Sequence, residues 1–190
     1  SNLKHTLGKV QEFESRGNFK RAFLMGMGGS SMCPKFLNTA FPNGEEGLND
    51  FPVDIMNHMD PATISAKANE IKDENTALVF ISKSGGTFEV MHVIQAVLNL
   101  LTEKHNGNIL EAQKELLKRA AFITEPNEYD VHTMEGKSSD TNEGTMNKLI
   151  DELNAIAKEQ GWNETAFVVD HPARVGGRYS IFSSVGTFIA

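Results

Sequence analysis

Ala77-Leu78-Val79-Phe80-Ile81 runs directly into Ser82-Lys83-Ser84-Gly85-Gly86-Thr87, and a segment of helical apolar spacing follows. An unbroken apolar run of this length suits a strand buried on both faces. Val90, Met91, Ile94, Val97, Leu98 and Leu101 recur at the helical period, so Ser82–Thr87 is the loop of a strand–loop–helix unit. Four more short apolar runs stand at Ala22 to Met25, Val53 to Met56, Ala120 to Thr124 and Ala166 to Val169. Met146, Leu149, Ile150, Leu153, Ile156 and Ala157 mark another helical stripe before the last of them. Strands that alternate with helices predict an α/β domain with a five-stranded parallel sheet. Glu125 to Gly144 is polar and turn-rich, and a long surface loop is expected there.

The global numbers bound the function classes. A chain of 190 residues with 39% hydrophobic and 23% charged residues suits one globular domain, here taken as 1–190. The net charge of -7 argues against a broad nucleic-acid face. A single cysteine, Cys33, excludes an internal disulfide and a thiolate metal cluster, which suits a reducing cytoplasm. Cys33 itself reads as a small buried hydrophobe. No apolar run is long enough to span a bilayer as a helix.

Parallel sheets place their ligands at the carboxyl ends of the strands. Three loops stand there. In the central one, Gly85 and Gly86 let the backbone curl close to a guest, and the free N–H groups of the next helical turn favour an anion. Phosphate fits; a capped turn with solvated hydroxyls is the other reading. A Walker A loop fails, because Ala77 and Ser82 occupy its two glycine positions. Lys83 either adds charge at the loop rim or is solvated. Glu89, one turn in, suits the helix dipole better than a ligand.

The first loop, Gly26-Met27-Gly28-Gly29-Ser30-Ser31, approaches a dinucleotide fingerprint but carries Ser31 where its last glycine belongs. Asp54 lies inside a strand instead of at its end, so ribose binding has no acidic partner. The nearer reading is a tight turn that brings Gly29 N–H and the Ser30 hydroxyl beside a small polar ligand; a turn that only eases packing is the alternative. In the third loop, Gly176-Gly177-Arg178 sets a fixed positive charge beside a flexible backbone, suited to a developing oxyanion or to a surface salt bridge. Arg174 reads as solvated. The six histidines show no metal-ligand spacing, and His171, before Pro172, reads as a turn residue.

Taken together, Gly26-Met27-Gly28-Gly29-Ser30, Ser82-Lys83-Ser84-Gly85-Gly86-Thr87-Phe88-Glu89 and Val175-Gly176-Gly177-Arg178-Tyr179-Ser180 resemble the glucose-6-phosphate isomerase family. Asn57-His58-Met59-Asp60-Pro61 is similar to the family's N-x-D-P element. The chain departs from the family at Cys33, where glycine is usual before the proline, and at Phe88, where glutamine is common. The resemblance implies a sugar isomerase (SIS) domain, a flavodoxin-like three-layer sandwich, as the first domain of a longer enzyme. It implies that Ser82, Lys83, Ser84 and Thr87 bind the sugar phosphate and that Gly29 and Ser30 line the same pocket. Gly177 and Arg178 would lie by the reacting carbons, with Arg178 stabilising the enediolate between glucose 6-phosphate and fructose 6-phosphate. The family's base, histidine and lysine lie beyond the V-G-G-R-Y-S element, so the chain alone is expected to bind without turnover. No metal and no redox cofactor are implied; a cytoplasmic homodimer is. A non-catalytic phosphosugar-sensing SIS module is the alternative.

Overall fold

The apolar runs pair into one parallel sheet. A computed structural model of the chain describes residues 2–40, 52–125 and 145–172, together with 175, 176, 179, 183, 185 and 188. The strands are β1 (Arg21–Gly26), β2 (Val53–Met56), β3 (Thr76–Ile81), β4 (Ala120–Thr124) and β5 (Phe167–Asp170). Their spatial order is β2-β1-β3-β4-β5, all parallel, which is the flavodoxin-like order. The last strand begins one residue later than expected. Ala166 gives its N–H to Asn154 Oδ1 at 2.8 Å, and Asp170 instead joins the ladder opposite Thr124.

Helices α1 (Asn2–Glu14), α2 (Gly29–Ala40), α3 (Pro61–Ala66), α4 (Ala68–Lys72), α5 (Phe88–Lys104), α6 (Ile109–Arg119) and α7 (Thr145–Glu159) surround it. Side chains alternate across the strands, so each strand feeds two cores. Phe23, Met25, Leu78, Phe80 and Phe122 pack with Val90, Val93, Ile94, Val97 and Leu101 of α5, Leu116 and Leu117 of α6, and Ile150 and Leu153 of α7. Leu24, Val79, Ile81, Ala121, Ile123, Phe167 and Val169 pack on the other face with Phe13 of α1, Val185 and Phe188. The result is three layers. Helix α1 had no clear stripe in the sequence, because Leu7 is exposed and Phe13 is its buried apolar anchor. Among the described residues, no helix is long and apolar enough to cross a membrane.

The amino edge of the sheet is held by a buried arginine. Arg119, 1% exposed, donates from Nε to Thr76 O at 3.0 Å and from Nη2 to Ile71 O at 2.6 Å. Its Nη1 pairs with Glu115, which also takes Lys104 Nζ at 2.9 Å and His105 Nε2 at 2.6 Å. One guanidinium therefore ties the last turn of α4 to the start of β3 and pairs with Glu115 one turn back in its own helix α6.

Candidate functional site

In the order β2-β1-β3-β4-β5 the connections reverse direction between β1 and β3, and open α/β sheets bind ligands at that switch point. Gly26 stands in register with Ile81, so the loops after β1 and β3 leave the sheet side by side. A Cβ on Gly26 would meet Ile81 Cβ at 3.4 Å and the Ser30 backbone at 3.5 Å, so the first loop passes in van der Waals contact with the end of β3. Gly28 has φ 55, a left-handed conformation that favours glycine, and it turns the chain into α2. The turn is closed by Ser30 N–H to Met27 O at 3.1 Å and by the Ser31 hydroxyl to Gly28 O at 2.8 Å. Gly29 is thus the first residue of α2, and Ser30 lies buried in its first turn.

The central loop is ordered by its own hydroxyls. Ser82, 2% exposed, donates from Oγ to Thr87 Oγ1 at 2.8 Å and accepts Thr87 N–H at 3.4 Å. Gly85, at φ 65, gives its N–H to Ser82 O at 3.1 Å, and its carbonyl takes Met146 N–H from α7 at 2.8 Å. Ser84 is exposed and its Oγ accepts Gly86 N–H at 3.3 Å.

Thr87 is the N-cap of α5 but makes no side-chain cap bond, because its hydroxyl is turned toward Ser82. Asp60 and Asn108, by contrast, each accept two N–H groups at the starts of α3 and α6. The first turn of α5 therefore has N–H groups that no N-cap side chain takes, at the end of a 17-residue helix. That is an anion-binding geometry. Half-exposed Lys83 lies 3.3 Å from Glu125, so its charge is shared at the rim.

Other sequence expectations take definite places. Asp54 pairs with Arg21 at 2.9 Å and Lys67 at 3.4 Å within the sheet edge, which accounts for it without a ribose. The N-x-D-P element is a helix start, with Asp60 Oδ1 accepting Ala62 N–H at 3.2 Å and Oδ2 accepting Thr63 Oγ1–H at 2.8 Å. The Thr63 hydroxyl, followed by Ala62 N–H, holds the Asp60 carboxyl below the usual range. Gly177 and Arg178, with Arg174, lie outside the described residues, as does the 126–144 stretch. Their neighbours form a turn: Val175 N–H reaches Pro172 O at 3.1 Å and Tyr179 N–H reaches Gly176 O at 2.8 Å.

The sequence reading places His171 only in a turn. It is 0% exposed at the carboxyl end of β5, and burial is the main cause that lowers its pKa. Its position directly after the last strand was the available signal.

No protein-family model matches the sequence. Curated relatives do. A glucose-6-phosphate isomerase from Borreliella afzelii (strain PKo) is 28% identical across 97% of the chain, which spans 27% of that relative. One from Borrelia garinii subsp. bavariensis is 31% identical across 97% of the chain and 27% of the relative. Another, from Carboxydothermus hydrogenoformans, is 27% identical across 91% of the chain and 32% of the relative. The chain resembles glucose-6-phosphate isomerases. It spans roughly a quarter to a third of the isomerases it matches. Two solved structures share the fold. A hypothetical protein from Thermus thermophilus superposes with a TM-score of 0.65 at 24% identity, over 99% of this chain and 36% of its own. A glucose-6-phosphate isomerase from Chlamydia trachomatis superposes with a TM-score of 0.58 at 21% identity, over 96% of this chain and 28% of its own.

Proposed function

We propose that the chain is a SIS domain of a glucose-6-phosphate isomerase, which binds the sugar phosphate for exchange between glucose 6-phosphate and fructose 6-phosphate. The observation that carries the reading is the central loop: a hydroxyl- and glycine-lined turn at the topological switch point, opening onto a helix whose first N–H groups no N-cap side chain takes. In this reading the phosphate sits over the first turn of α5. Ser84 and Thr87 offer hydroxyls to it, Ser82 orients Thr87, and Lys83 sets the rim charge. Gly29 and Ser30 line the same pocket from the adjacent loop.

Aldose–ketose exchange removes a proton from one carbon and returns it to its neighbour through a cis-enediol, with negative charge developing on an oxygen bonded to one of those two carbons. Arg178 beside Gly177 supplies a permanent positive charge for that oxygen. Proton transfer belongs to groups outside the motifs matched here.

Calorimetric titration with fructose 6-phosphate tests the reading, with fructose and inorganic phosphate as controls. Saturable binding of the phosphosugar that Thr87→Ala weakens by about tenfold is expected, the worth of one hydrogen bond to a charged group. Equal affinity of the wild type and Thr87→Ala for fructose 6-phosphate would remove the phosphate from this loop.

A further inference from the structure

The carboxyl ends of β3, β4 and β5 continue as a ladder beyond the strands. Ser82 N–H donates to Ile123 O at 3.0 Å, Glu125 N–H to Lys83 O at 3.0 Å, and His171 N–H to Thr124 O at 2.8 Å. Ile81, Ile123 and Val169 all face the second core. Two residues further along each strand stand Lys83, Glu125 and His171, which strand alternation places on that same face. The 3.3 Å contact between Lys83 Nζ and Glu125 Oε1 agrees with this placement.

His171 is fully buried there, and its Nδ1 lies 3.2 Å from Pro172 O. A carbonyl only accepts, so Nδ1 carries the hydrogen. The other ring nitrogen, Nε2, is buried and has no hydrogen-bond partner among the described residues. Pro172 O also takes Val175 N–H, so the ring is clamped into the turn that leads to Gly176.

We propose that His171 is a positioning residue: its backbone N–H ties the end of β5 to Thr124 of β4, its neutral Nδ1–H imidazole holds the Pro172 carbonyl that also takes Val175 N–H, and the two together set the start of that turn relative to the central loop. The linkage runs from the Pro172–Val175 turn through His171 and Thr124 to Glu125, and from Glu125 to Lys83 at the start of the central loop. Protonation at Nε2 would place a second donor in a buried spot where the described residues offer no acceptor, near the Lys83 ammonium. The Pro172 carbonyl and Glu125 favour that added charge and Lys83 opposes it; among the described residues Lys83 and Glu125 are the charged groups that act on the ring from the neighbouring strands. Burial tips the balance to the neutral form. Acidification therefore releases the turn first and the loop spacing with it.

The functional half of this inference rests on the proposed phosphate site; the structural half does not, and the test separates them. Imidazole nitrogen shifts on the 15N-labelled chain report the tautomer, expected as Nδ1–H at neutral pH. Amide hydrogen exchange at Glu125, His171 and Val175 is expected to lose about tenfold in protection between about pH 7 and 5, relative to core amides of β3. His171→Ala should lose that protection at neutral pH. His171→Asn, whose amide replaces the Nδ1–H donor, should restore it without the pH dependence. Fructose 6-phosphate affinity, measured in parallel, should fall more steeply with acid in the wild type than in His171→Asn, which cancels the ligand's own ionisation. An Nε2–H tautomer, or protection that is independent of pH, would overturn the positioning role. Correct exchange behaviour with no phosphosugar binding would leave the lock standing and remove the phosphate site.

Discussion

At the amino edge of the sheet Arg119, 1% exposed, commits its guanidinium to two carbonyls and a carboxylate, whereas at the carboxyl edge His171, 0% exposed, has no partner for Nε2 among the described residues. The two edges meet the same problem, how to end buried strands and start helices, with different chemistry. The amino edge uses long charged side chains that satisfy one another: Arg119, Glu115, Lys104 and His105. The carboxyl edge uses glycine, short hydroxyls and backbone N–H groups. A closed charge network holds elements together and has nothing left for a guest. An edge of small residues keeps its donors available.

The largest effect is expected at the amino edge. Arg119→Ala would leave the Ile71 and Thr76 carbonyls without this donor, take one of the three partners of Glu115 and open a buried void, and should cost about 3–5 kcal/mol in urea unfolding. Phosphosugar affinity of the folded fraction should stay the same. A loss below about 1 kcal/mol would mean that the network is dispensable, and the contrast between the edges would fail.

Acid should separate the edges in order. The folded chain holds His171 below its ordinary value of 6.5, so the unfolded chain takes up that proton first. The stability this burial permits is complete above 6.5 and wanes as pH falls toward the folded value. Glu115 is also depressed: burial pushes its pKa up, but Lys104, Arg119 and His105 together outweigh it. Its contribution is present above 4.5 and is lost as pH falls through the folded value. Urea midpoints taken from about pH 7.5 down to about 3.5 should decline in two stages. His171→Asn should remove the earlier stage and Glu115→Gln the later one. The reverse assignment would sink the comparison.

The smallest effect sharpens the contrast between capped and uncapped helix starts. Asn108→Ala removes a side chain that accepts Leu110 N–H at 3.2 Å and Glu111 N–H at 3.3 Å, and should cost about 1 kcal/mol with no change in phosphosugar binding. Thr87 is the N-cap of α5 but not a side-chain cap, so Thr87→Ala should act on binding more than on unfolding.

Local pattern determined the strands, the α/β class, the three loops and the apolar faces of α5 and α7, because burial on a sheet or helix face imposes a period that sequence displays. The glycines and hydroxyls of the central loop were legible for the same reason, since turns demand particular residue types. Only the tertiary structure decided which strands are neighbours. It set the β1 and β3 loops side by side, turned the Thr87 hydroxyl away from its helix toward Ser82, joined Arg119 to Ile71 and Thr76, and buried His171 behind Lys83 and Glu125. Those relations join residues far apart in the chain, and neither spacing nor composition encodes a contact whose geometry is set by the packing of other elements.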